Sequence, residues 1–356
     1  MTSSTFQPNC LPLLIGSLPL TDHLEAQRLI LEYTPEIPLW PQLPGYPEEG
    51  MLAQFLPGLP GLTTAGKKTH IDTESTRFEE ELLAFYEDYM AVIENAQPLQ
   101  DSRFALTTDT AKGFFTFLEL LKSSGDNLTA LKGQITGPIT FCTGVTDNRD
   151  RAIFYNEQVR DAAVKLIALK AKWQVRAMSA LGKPAIVFLD EPGLAGFGSS
   201  AFISISKEDV LTCFEEVIAA IHEEGGIAGI HVCDNTDWSL VLESSADVAS
   251  FDAYKYFDLF ILYPDLVRQF ISAGKILAWG IVPTLNADDI DRETAETLTA
   301  GWREKAGRIE ALGIDPGVLR AQSLITPSCG TGSLDRTRAE RVLALTREVA
   351  DRIRGE

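Results

Sequence analysis

Short apolar runs recur along the chain, separated by stretches in which apolar positions return every three or four residues. The runs predict strands at Leu11–Gly16, Ile37–Gln42, Leu128–Thr136, Pro184–Asp190, Ile227–Val232, Asp247–Phe251, Lys275–Ile281 and Arg320–Thr326. Helical periodicity predicts helices at Glu74–Glu94, Thr110–Lys122, Arg149–Leu181, Lys207–Glu224, Thr236–Glu243, Pro264–Ala273, Asp291–Leu312 and Asp335–Arg354. In the last, Val342, Leu345, Val349 and Ile353 share one face behind an Asp335 N-cap. Strand–helix alternation implies a parallel sheet. Eight such units predict an α/β fold, a (β/α)8 TIM barrel spanning 1–356 as one domain. A doubly wound open sheet is the alternative, but no G-x-G-x-x-G follows any of the strands.

One region departs from this rhythm. Residues 35–73 form an excursion, Pro- and Gly-rich as far as residue 69. It carries Leu39, Trp40, Leu43, Tyr46, Met51, Leu52, Phe55 and Leu56, too much apolar surface for a solvated tether. It is read as an ordered loop lying over the barrel.

Composition narrows the setting. Hydrophobic residues make up 45% of the chain, enough for a large core. Lys and Arg number 31 against 50 Asp and Glu, a net charge of −19. Such a surface repels phosphate backbones and anionic lipid, so neither nucleic acid nor membrane is an expected partner. The start of the chain has no basic residue before Arg28, which predicts no secretory leader. The cysteines, Cys10, Cys142, Cys213, Cys233 and Cys329, are odd in number and scattered, which fits a reducing cytoplasm better than a disulfide framework.

A TIM barrel carries its chemistry at the C-terminal ends of its strands. There the chain places His231 and Cys233, two residues apart and hence on one side of a strand. Imidazole with thiolate suits Zn²⁺. Taken alone the pair is more often the mark of a packed histidine and a buried cysteine. Cys329, at the end of the last strand and followed by Gly330, supplies a third donor. Asp252 is the candidate fourth ligand or else a cap, whereas Asp234 and Asp237 fit capping of the next helix. Cys10, Cys142 and Cys213 are read as structural, and His23, His70 and His222 as surface residues. The strand ending in Asp190-Glu191-Pro192 delivers two acids, of which one aims into the site, suited to gripping an amino group. Ser17, beside the small Gly16, offers a hydroxyl and a backbone N–H for a carboxylate. Trp40 and Gln42 are further candidate lining residues.

These motifs together resemble the C-terminal catalytic barrel of cobalamin-independent methionine synthase and its relatives in the uroporphyrinogen-decarboxylase-like superfamily. Ile15-Gly16-Ser17-Leu18-Pro19 is similar to that family's first-strand substrate motif, Gly137-Pro138 to its third-strand turn, and Leu189-Asp190-Glu191-Pro192 to its I-D-E-P motif. His231-x-Cys233 and Cys329-Gly330 are similar to its zinc ligands. Asp247-Val248-Ala249-Ser250-Phe251-Asp252 stands for D-V-x-x-x-E, with Asp one methylene shorter than the family's Glu. The additional N-terminal barrel and the H-G-E segment have no counterpart here. The turn from His231 to Thr236 is similar to that of corrinoid-linked zinc methyltransferases.

The resemblance implies a cytoplasmic zinc-dependent methyltransferase of methionine biosynthesis. Zinc would convert a thiol, homocysteine first, into a thiolate, with Asp190 and Ser17 fixing the amino-acid part. The methyl donor would be a corrinoid on a partner protein or a methyl-tetrahydrofolate. The alternatives are a metal-free uroporphyrinogen decarboxylase-like lyase and a non-catalytic zinc-binding partner protein.

Overall fold

The computed structural model describes residues 6–355 apart from 67, 123–126, 200, 201 and 203; Lys67 of the excursion is thus outside the described residues. The strands are β1 (Leu11–Pro12), β2 (Leu62–Ala65), β3 (Lys68–Ile71), β4 (Leu131–Thr136), β5 (Ala185–Asp190), β6 (Ile227–Val232), β7 (Val248–Phe251), β8 (Ile276–Val282) and β9 (Ser323–Pro327). The helices in the first half are α1 (His23–Tyr33), α2 (Phe78–Ile93), α3 (Lys112–Leu121), α4 (Pro138–Gly144) and α5 (Glu157–Ser179). Those in the second half are α6 (Lys207–Glu223), α7 (Ser239–Leu242), α8 (Phe257–Phe260), α9 (Pro264–Ser272), α10 (Ala287–Arg292), α11 (Ala295–Glu310), α12 (Pro316–Ala321) and α13 (Arg336–Arg354).

Seven strands form one sheet in the order β1-β9-β8-β7-β6-β5-β4, every pair parallel. Sequence neighbours from β4 onward lie side by side, as strand–helix repeats require. Strands β4, β5, β7, β8 and β9 are buried at every position. Burial on both faces accounts for the near-continuous apolar sequence of β5, β7 and β8. Leu11, Ile186, Phe188, Val248, Ala278 and Leu324 pack together as one inner cluster. Gly229 leaves room for the Phe188 ring, since a Cβ there would sit 2.3 Å from it.

The predicted strand Ile37–Gln42 is not a ladder. It makes isolated parallel bridges, Leu39 with Lys132 of β4 and Ser17 with Gln42. Backbone N–H groups of Lys132 and Leu18 donate to Pro38 (3.0 Å) and Gln42 (3.0 Å) respectively. The segment therefore bridges β4, at one edge of the sheet, to the chain beyond β1. Pro38 and Pro41 cannot donate, which limits the pairing it can make.

Helices α1, α4, α8, α10 and α12 and the hairpin β2–β3 were not predicted. Helix α1 is capped by Asp22, whose side chain accepts from the Glu25 N–H, and buries Ala26 and Ile30. Helix α4 opens on Pro138 directly after β4. The excursion, expected as loop beyond Gln42, contains the antiparallel hairpin β2–β3.

Candidate metal centre

The chemistry-bearing residues stand at the C-terminal ends of the parallel strands. Asp190 closes β5, and its register partner His231 lies in β6, one residue before the end. Cys233 follows β6, and Cys329 lies two residues beyond β9. One ligand atom each from His231, Cys233 and Cys329 fall within 4.8 Å of one another. Donors around a tetrahedral zinc, at about 2.0–2.3 Å from the ion, are separated by about 3.5–4 Å, so this spacing fits.

The surroundings prepare these atoms for a metal. His231 is buried, and its Nδ1 is bonded to Ser250 Oγ at 2.9 Å. Its Nε2 is buried with no hydrogen-bond partner. Burial first, and the positive charge of Lys132 second, pull the imidazole pKa down to about 3. The ring is thus neutral, and a ring donating from Nδ1 to Ser250 presents the Nε2 lone pair. An orphaned buried imidazole nitrogen is costly unless something occupies it. Cys233 and Cys329 are half-buried. The Cys329 thiol donates toward Cys233, which lowers the Cys233 pKa and raises that of Cys329. Ligation by either sulfur requires its thiolate, so a divalent cation would displace thiol protons here.

Ser250→Ala should leave the fold intact and weaken zinc binding on the order of tenfold, because the partner that fixes ring and tautomer is gone. A competition titration with a chromophoric chelator measures this; unchanged affinity would count against Ser250 as the orienting group.

Asp252 is not in the cluster. Its Oδ1 accepts from the Lys255 N–H at 2.8 Å, the capping role that competed with ligation, and burial raises its pKa to about 6. The two acids of the Asp190-Glu191 pair part company, as alternation on a strand demands. Glu191 turns away from the cavity into the start of α4. It accepts from the Ile139 N–H (2.9 Å), the Thr140 N–H (2.7 Å) and Thr140 Oγ1 (2.6 Å). Gly137 makes room for it, since a Cβ there would be 2.3 Å from the carboxyl. Glu191 is fully buried, outside the cavity lining and engaged through both oxygens, so its expected part in substrate binding gives way to a structural one; burial raises its pKa to about 7. Trp40 is likewise displaced from the expected pocket: it is fully buried, and its Nε1 donates to Gln174 of α5 at 3.0 Å.

Asp190, Ser17 and Gln42 line a cavity of about 580 Å³ together with all three metal-ligand candidates. The excursion supplies one wall through Pro44, Gly45, Glu49 and Met51. Sequence reading missed how that wall is held. His23, expected at the surface, is buried and bonded through Nε2 to Glu49 Oε1 at 2.5 Å. Glu49 Oε2 accepts from the Leu43 N–H at 2.9 Å, so both of its oxygens are engaged. The carboxylate left for a ligand is Asp190, whose Oδ1 is buried without a partner. Burial pushes the Asp190 pKa up, and the charge of Lys132 opposes that rise. Among the described lining residues there is no Lys or Arg. His222, by contrast, pairs with Asp247 at 2.8 Å outside the cavity.

No family model matches the chain, and no curated protein matches it. Among solved structures, it is similar to the tandem GH20 catalytic modules of the pneumococcal exo-beta-D-N-acetylglucosaminidase StrH. The identity is 14%, over 96% of this chain and 85% of that one, with a TM-score of 0.48. A candidate alpha-L-fucosidase from Bacteroides thetaiotaomicron aligns at 12% identity over 99% of both chains, with a TM-score of 0.34. These findings overturn the expected resemblance to methionine synthase and uroporphyrinogen decarboxylase: both of these structures are of glycoside hydrolases. The assignments built on it fall with it, namely thiol methylation, homocysteine, methionine biosynthesis and a corrinoid or folate donor. Likenesses this distant carry no activity over to the chain. Among the described residues no helix is long and apolar enough to cross a membrane.

Proposed function

We propose that this chain binds Zn²⁺ through His231 Nε2, Cys233 Sγ and Cys329 Sγ, and uses it on a small, amine-bearing molecule held in the cavity. The observation that carries the reading is the convergence of three donors, one of them an orphaned buried imidazole nitrogen, on the floor of that cavity. A structural zinc is closed by four protein ligands, whereas a catalytic one keeps a position open, and His with two Cys is a donor set used in catalysis. Bound there, the ion would supply Lewis acidity, lowering the pKa of a protic donor atom in the open position.

The protein's own groups then have defined tasks. Ser250 holds the imidazole, and Asp190 holds the amine through its free Oδ1. The absence of a cationic side chain from the described lining disfavours phosphorylated or multiply carboxylated ligands. Ile15, Met51 and Pro192 give the cavity apolar walls that limit water around the reacting atoms. We further propose that segment 37–42 fills the eighth position of a closed barrel. Its bridges to Ser17 and Lys132 support that reading.

The test uses the cobalt-substituted protein, whose visible spectrum reports coordination. Glycine hydroxamate and acetohydroxamate should both perturb it, and the amine-bearing probe should bind about tenfold tighter, the worth of a charged hydrogen bond. Asp190→Asn should abolish that preference. In the wild type the preference should fade as pH falls below neutral, because a carboxyl with a raised pKa takes up its proton there and ceases to attract an ammonium. A spectrum indifferent to both probes would mean a closed, structural site.

A further inference from the structure

We infer that Cys233 and Cys329 are also a redox modification site, closing to a disulfide when a hydroperoxide reaches the cavity without metal in place. Their sulfurs belong to the one three-residue group whose ligand atoms lie within 4.8 Å of each other among the described residues. Both cysteines are half-buried and line the solvent-connected cavity, whereas Cys10, Cys142 and Cys213 are buried. Reagent access therefore selects one pair out of five cysteines. A disulfide needs its sulfurs at about 2.05 Å. Cys329 is followed by Gly330-Thr331-Gly332, a loop segment outside any helix or strand, so the closing movement falls on irregular backbone.

In the first step the Cys233 thiolate attacks the peroxide oxygen, the O–O bond breaks and sulfenic acid forms, while the expelled alkoxide or hydroxide takes up the proton that the Cys233 thiol gave up and leaves as alcohol or water. Cys329 then attacks that sulfur as thiolate; the S–S bond forms, and the departing hydroxide takes up the released proton as water. Two thiols are oxidised and one hydroperoxide is reduced to an alcohol (or water) and water. With a metal bound, both sulfurs are engaged and the reaction is slowed. That protection, though not the cross-link itself, rests on the zinc reading above.

Full-length protein, stripped with chelator or loaded with one equivalent of zinc, is treated with tert-butyl hydroperoxide and digested without reduction. The expected result for stripped protein is a single linked peptide pair containing Cys233 and Cys329, reversed by dithiothreitol. Under denaturing titration three thiols of five should remain. Zinc-loaded protein should cross-link at least tenfold more slowly and release its zinc in step. Equal rates with and without zinc would uphold the cross-link while removing the metal site. Thiol loss with no Cys233–Cys329 peptide, in wild type and in a folded Cys10→Ser control alike, would overturn the inference.

Discussion

Replacing His231 with alanine, or Cys329 with serine, is expected to cost about 3 kcal/mol of zinc affinity, roughly a hundredfold, if four-ligand sites bind with about 10–16 kcal/mol shared among their donors. The wild type should bind one equivalent and release protons as it does so, since burial and the neighbouring Cys233 raise the Cys329 pKa and a thiol must lose its proton to ligate. Affinity should therefore rise with pH through neutrality, the direction set by thiols that must be deprotonated to ligate. Isothermal titration in buffers of different ionisation enthalpy counts those protons. A pH-independent affinity would mean that sulfur is not a ligand.

The second large effect is on stability and comes from Lys132, which lies beneath the site with no exposed surface. Its Nζ donates to the Ile15 carbonyl and to Gln134 Oε1 at 3.2 Å, and it stands 4.7 Å from the centre of the Phe188 ring. Burial lowers its pKa, and the charge of Asp190 opposes that fall. Lys132→Met fills the space but leaves a carbonyl, an amide and a buried carboxylate without their cation. The expected loss is about 3–5 kcal/mol at pH 7, read by urea unfolding. The loss should be nearly the same at pH 5, because burial holds Asp190 protonated there in the wild type as in the variant, and both are relieved of the same ionisation penalty as pH falls. Above neutrality the loss should grow, since the wild-type carboxyl ionises near Lys132 while burial keeps the proton on it in the variant. A loss that is flat from pH 5 to 8 would place the effect in packing rather than charge.

Much of this arrangement was legible in the residues. The apolar runs from Pro184 onward became β5 to β9 with shifts of a few residues at their ends, because strands buried on both faces need uninterrupted apolar sequence. The three donors could be paired because strand alternation puts His231 and Cys233 on one side and a parallel sheet aligns their ends with that of β9. Where alternation fails, so did the reading. Trp40 and Gln42 are two apart and would share a face in a regular strand. With Pro41 between them and only isolated bridges, they separate, Gln42 to the cavity and Trp40 to Gln174.

His23 looked like a surface histidine because its partner Glu49 lies 26 residues on, inside an excursion that carries no periodic signal. The signal for α1 was present: Asp22 as cap, then Ala26 and Ile30 one turn apart. In β2–β3, Thr-rich strands around Gly66, which has φ +64°, have too little apolar alternation to stand out from loop. The resemblance failed for a different reason. Motifs of two to five residues at strand ends record which donors meet and do not by themselves carry a family.

The most direct test of the account is X-ray absorption at the zinc edge on protein purified with one equivalent of the metal. The account predicts two sulfur scatterers at about 2.3 Å, one imidazole nitrogen at about 2.0–2.1 Å and one light atom that exchanges when acetohydroxamate is added. A shell of nitrogen and oxygen alone, or an unchanged spectrum in the His231→Ala variant, would contradict it.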